Sequence, residues 1–120
     1  MAEVRQFFIE RLALAKQSGI ATERICLDPG IGFGKTDTHN LMLIRHLELL
    51  RVQDRPLLMA LSRKAFMGRI LEQPDLPKKS SLPTVTMSLL SADRGADMHR
   101  VHDVAELHMA LKLRAALINN

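Results

Sequence analysis

The feature that most constrains this chain is an alternation. Two short apolar runs, Arg24 to Asp28 and Pro56 to Leu61, and a third, less apolar strand candidate, Asp97 to His102, are each followed by a stretch with helical spacing. Runs this short and this apolar suit parallel strands buried on both faces. Strand and helix alternating three times imply right-handed crossovers and one parallel sheet. A helix opens the series, with Val4, Phe7, Phe8, Leu12 and Ala15 on one face and Gly19 as its stop. The second helix carries Leu43, Ile44, Leu47 and Leu50, and the closing one Val104, Leu107, Leu111, Ala115 and Ile118. Ser62 is placed to cap a helix running to about Leu71, and a helix with Val85, Leu89 and Ala92 follows later. Between them Gln73 to Pro83 holds three prolines and reads as a loop, the most mobile segment. Three parallel strands leave two bare edges, whereas a doubly wound sheet has about five strands and a barrel eight. The expected fold class is therefore α/β, with an architecture that looks cut from something larger.

Each expected strand delivers polar residues at its carboxyl end: Asp28 with the loop behind it, then Ser62-Arg63-Lys64, then Arg100 and His102. In parallel α/β folds these ends share one face, where ligands bind, so the residues are expected to meet. Taken singly, Asp28 suits a turn, and Arg63 and Lys64 suit a solvated surface. The loop from Asp28 to Thr36 invites comparison with a phosphate loop, but the spacing fails. Pro29 stands where that motif needs its first glycine, and Lys35 stands where a dinucleotide fingerprint beginning at Gly30 needs its last. The alternating glycines around Phe33 still suggest close approach to a ligand. Along a strand, residues two apart point the same way, so Arg100 and His102 share a face and His99 opposes them. That argues against a metal pair of His99 and His102 and suits an anion instead.

Composition narrows the partners. A net charge of +4 favours anionic ligands of any kind. Nucleic acid is disfavoured, because the chain has neither Trp nor Tyr for base stacking and its cations are scattered. The single cysteine, Cys26, lies in an apolar run and reads as a small core residue in a reducing compartment. The longest apolar stretch, Leu57 to Leu61, is too short to span a bilayer, so no membrane is expected and a cytoplasmic location fits.

The strings LDPGIGFGKTDTHN, LSRKAFMG and RVHDV, in this order, resemble the last three strand-end motifs of the dihydropteroate synthase family. The resemblance runs from Val4 to about Leu117 and implies a TIM barrel of which this chain supplies the last three parallel strands and their helices. On that basis residues 1–120 are expected to be the carboxy-terminal part of one pterin-binding barrel domain, without its amino-terminal half. The family joins p-aminobenzoate to 6-hydroxymethyl-7,8-dihydropterin pyrophosphate and releases pyrophosphate, with magnesium (Mg2+) assisting. The resemblance implies that Asp28, Lys64 and Arg100 bind the pterin, that Arg100 and His102 hold pyrophosphate, and that Phe33, Lys64 and Gly32 form the p-aminobenzoate side. It implies no protein nucleophile, a magnesium ligand in the part not present here, and a homodimer of the full-length protein. Two positions depart from the family pattern. Ala60 stands where glycine is usual, and Ala65 where a serine helps hold the p-aminobenzoate carboxylate. Rival readings are a non-catalytic pterin-binding paralogue or regulatory half-barrel, a methyltransferase acting on a reduced folate, and a general phosphate or nucleic-acid module.

Overall fold

The computed structural model describes residues 1–119 and is an α/β fold. Helix α1 spans Ala2–Gln17 and a single 3-10 turn spans Thr22–Arg24. Helix α2 is Asp37–Arg45, followed by a second 3-10 turn at Leu47–Leu50, and strand β1 is Leu58–Met59. Helices α3 (Ala65–Ile70), α4 (Leu76–Lys79) and α5 (Leu82–Ala92) come next. Strand β2 (Met98–His99) and helix α6 (Val104–Asn119) complete the described chain.

The parallel pairing expected from the alternation is present, but its ladders are short. Leu58 pairs with Met98 and Met59 with His99. The first apolar run contributes one parallel bridge, Leu27 to Leu57, made by Leu27 N–H to Pro56 O and Leu58 N–H to Leu27 O, each 2.8 Å. Spatial order thus follows chain order: Leu27, then β1, then β2.

Register is set by alternation along the middle segment. Leu57, Met59 and Leu61 are fully buried and face the helices, while Leu58 and Ala60 between them are half-buried on the opposite face. A slip of one residue would exchange the two sets. The core gathers Phe8 and Leu12 of α1, Leu43 and Ile44 of α2, and Phe66 and Met67 of α3 around these three leucine and methionine side chains. Gly68 is required for this packing, because a Cβ there would lie 2.8 Å from the Pro74 carbonyl oxygen.

Several expectations need correction. Cys26 is exposed, not a core residue, because only one face of its segment is covered among the described residues and Leu27 takes the buried side. The stretch Gln73 to Pro83 is not structureless: it contains α4, with Pro77 buried, and α5 already begins at Leu82. Along α6 only Leu107 is buried, whereas Ile118 is 58% exposed, so the expected apolar stripe is largely uncovered. Phe7 likewise projects outward, with Arg11 stacked over its ring at 4.9 Å. Among the described residues no helix is long and apolar enough to cross a membrane.

Candidate functional site

The carboxyl ends of the three parallel segments open into one cleft of about 240 Å3, lined by Asp28, Phe33, Ala60, Ser62, Lys64, Arg100, Val101 and His102. The residues come from all three strand ends, and Ala60 and Ser62 come from the strand face opposite the core.

The first wall is the glycine loop, which is braced by several hydrogen bonds to its main chain. Asp28 Oδ1 accepts from Gly30 N–H at 2.8 Å. Lys35 Nζ donates to the carbonyls of Gly30 and Phe33 at 2.9 and 3.1 Å. Gly32 N–H donates to Asn40 Oδ1 at 2.9 Å, and Phe33 N–H to Gly30 O at 3.1 Å. Three of the loop N–H groups, those of Gly30, Gly32 and Phe33, are therefore bonded within the protein and not gathered around an anion, which agrees with the failed glycine spacing. What the loop presents is Phe33, 72% exposed at its tip.

The second wall depends on an unusual backbone. Arg63 sits at φ +57°, a left-handed conformation that costs a non-glycine residue about 1–2 kcal/mol. Its N–H is held at 2.9 Å by the hydroxyl of Thr84, a fully buried side chain near the start of α5. This turn redirects the chain so that Lys64 reaches back over the loop, with Nζ 2.9 Å from Ile31 O and 4.3 Å from the Phe33 ring centroid. Burial holds the Lys64 ammonium below the usual lysine range; the Asp28 charge opposes this, and Arg100 and Lys35 reinforce it. Asp28, Lys64 and Arg100 thus act electrostatically on one point.

Ser62 does not cap a helix as expected, since α3 starts at Ala65 with no side-chain cap. Its hydroxyl oxygen instead accepts from the His102 N–H at 3.0 Å and lies 2.6 Å from His102 Nδ1. With the hydroxyl proton assigned to that second contact, the neutral ring carries its own proton on Nε2 and offers a donor. Arg100 is exposed, and its guanidinium makes no hydrogen bond or ion pair to any described residue. His99 lies on the other side, where burial first and then Arg114 hold its ring below the ordinary imidazole range.

The structure therefore brings Asp28, Phe33, Lys64, Arg100 and His102 to one cleft, while Gly32 sits behind Lys64: a Cβ on Gly32 would meet Lys64 Cδ at 3.2 Å. Sequence reasoning missed Thr84, Lys35 and Asn40, and mistook the role of Ser62. Only Ser62 carried a signal, its place directly at a strand end. A larger hollow of about 370 Å3 lies between α1 and α2, but the one lysine on its wall, Lys35, already donates to two loop carbonyls.

The family described as pterin binding enzyme matches residues 1–102. A dihydropteroate synthase of Synechocystis is 44% identical over 117 residues, which is 98% of this chain and 40% of that protein. The chain thus spans about two fifths of the length of the curated relative it matches. Among solved structures, the dihydropteroate synthase of Xanthomonas albilineans in complex with 7,8-dihydropteroate superposes with a TM-score of 0.91 at 40% identity, over 97% of this chain and 44% of that one. The same enzyme with 4-aminobenzoic acid gives a TM-score of 0.91 at 40% identity, over 97% and 42%.

Proposed function

This chain belongs to the pterin-binding enzymes, and from that premise we propose that it forms the carboxy-terminal strands of a dihydropteroate synthase barrel. The observation that carries the reading is the meeting of one carboxylate, three cationic or donor side chains and an exposed aromatic ring at the carboxyl ends of parallel strands. The relative solved with 7,8-dihydropteroate, in which a pterin and p-aminobenzoate are already joined, and with 4-aminobenzoic acid supports a pterin and p-aminobenzoate as substrates here.

On this reading Asp28 accepts from the donor edge of the pterin through Oδ2, since Oδ1 is tied to Gly30. Lys64 lies between the two substrates, bonding the pterin and facing the p-aminobenzoate ring that Phe33 and Gly32 flank. Arg100 gives a planar fork of donors and His102 a further N–H to the pyrophosphate, whose charge grows as its C–O bond breaks. The p-aminobenzoate nitrogen then forms the new C–N bond to the freed methylene and loses a proton. No protein nucleophile takes part. Magnesium, which the resemblance implies, lacks a donor set in this stretch: among the described residues no three His, Cys, Asp or Glu side chains converge, and Asp28 is the one carboxylate on the cleft wall.

A chimaera in which this chain replaces the matching part of the Xanthomonas albilineans enzyme tests the reading. It is expected to release pyrophosphate only when both substrates are present. Ala65 favours a second reading, a pterin-binding protein that does not catalyse. A folded chimaera that binds the pterin yet releases no pyrophosphate would establish it.

A further inference from the structure

The peptide unit between Ile31 and Gly32 is held at both ends. Its carbonyl accepts from Lys64 Nζ at 2.9 Å, and its N–H donates to Asn40 Oδ1 at 2.9 Å. The two partners come from opposite directions, Lys64 from the turn before α3 and Asn40 from the first turns of α2. Asn40 is fully buried and its Nδ2 makes no hydrogen bond, so the side chain is kept in the core for its oxygen alone. A buried amide with one empty donor is unfavourable by itself, which marks the remaining bond as the reason for its presence. Gly32, at φ +87°, leaves the space that the Lys64 stem fills, and a Cβ there would press on Lys64 Cδ at 3.2 Å.

We infer that Asn40 is a positioning residue: it orients the Ile31–Gly32 peptide, and through that carbonyl it fixes where the Lys64 ammonium stands over Phe33. Asn40 lines no part of the cleft, so its effect on the reaction is indirect, carried by the loop peptide that Lys64 also holds. The consequence for p-aminobenzoate rests on the function proposed above, whereas the positional claim stands without it.

The positional claim is tested on this chain without ligand, by the proton shifts of Lys64 in a 13C-lysine-labelled sample assigned through Lys64→Arg. Lys64 Nζ lies 4.3 Å from the Phe33 centroid, so its neighbouring Hε protons are expected upfield of every other lysine. Asn40→Ala is expected to return them to the exposed-lysine position and to speed exchange of the Gly32 amide about tenfold. Asn40→Asp, which keeps the acceptor, is expected to preserve both signatures. Unshifted Lys64 signals in a folded Asn40→Ala protein would overturn the inference. Should Asn40→Ala fail to fold, Lys64→Met decides instead: continued protection of the Gly32 amide supports Asn40 as the anchor, and its loss overturns it. In the chimaera, Asn40→Ala is expected to raise the KM values for p-aminobenzoate and for the pterin about tenfold, since Lys64 serves both, and a folded variant with both KM values unchanged would also overturn it. An inactive parent chimaera would count against the proposed function while leaving the Lys64 shifts to decide this inference.

Discussion

The two ends of the parallel segments use charge in opposite ways. At the amino ends, Asp97 Oδ2 accepts from Leu57 N–H at 2.9 Å and from Arg51 at 2.8 Å, and Arg51 also donates to the carbonyls of Gly95 and Arg55. At the carboxyl ends, the Arg100 guanidinium bonds to no described residue and Asp28 uses one oxygen within its own turn. The same sheet thus consumes ionic groups on one rim for cohesion and leaves the Arg100 guanidinium and one Asp28 oxygen available on the other. In parallel α/β folds the second rim is the one that binds.

The largest expected effect is at the cohesive rim. Asp97→Ala strands the N–H of fully buried Leu57 and frees Arg51, which should destabilise the chain by about 2 kcal/mol, a figure moderated because the carboxylate is 44% exposed. Urea unfolding measures it. A loss below about 0.5 kcal/mol would erase the distinction between the rims. Arg100→Ala is the counterpart: it should weaken pyrophosphate binding to the chimaera about tenfold, by calorimetry, while altering stability by less than about 0.5 kcal/mol. Substantial unfolding of that variant would mean that the open rim is structural after all.

The alternation and the meeting of strand ends were legible because topology alone sends Asp28, Lys64 and Arg100 to one rim. Strand length was not. The run from Leu57 to Leu61 is apolar throughout because alternate side chains enter the core, yet its pairing covers only the Leu57 bridge to Leu27 and the ladder at Leu58 and Met59. Burial and pairing are separate properties, and hydropathy reports the first. Thr84 and Asn40 were invisible for another reason. Each serves one main-chain N–H, 21 and 8 residues away, and such a bond leaves no periodicity to find. The α6 stripe misled because a pattern states what a face can bury, and Leu113 and Leu117 have no cover among the described residues.

Two smaller effects sharpen the contrast through pH. Burial raises the Asp97 pKa, but the Leu57 N–H and Arg51 outweigh it and leave the group below the ordinary aspartate range. A depressed carboxylate contributes stability above its unfolded pKa, and that contribution is lost as pH falls through the folded value. Acid titration of unfolding free energy should therefore decline below about pH 4, and Asp97→Asn should flatten that decline. Lys64 behaves oppositely. Its folded pKa is lowered, so the unfolded chain binds more protons between the two values and stability rises slightly with pH across that alkaline interval. Comparison with Lys64→Met isolates the increment, and an identical alkaline limb in both proteins would remove the strained cation from the open rim.

The bonds that build the cleft also differ in reach. Asp28 to Gly30 spans 2 residues, Gly32 to Asn40 spans 8, Ile31 to Lys64 spans 33, and Ser62 to His102 spans 40. Loop closure becomes entropically harder with span, by about 0.6 kcal/mol for each doubling. The glycine turn is then the first of these to form in a refolding chain, the lysine arrives on a surface already made, and the aiming of His102 comes last. Anion recognition would switch on only at the end of that sequence, so a partly folded molecule has an aromatic tip but no grip.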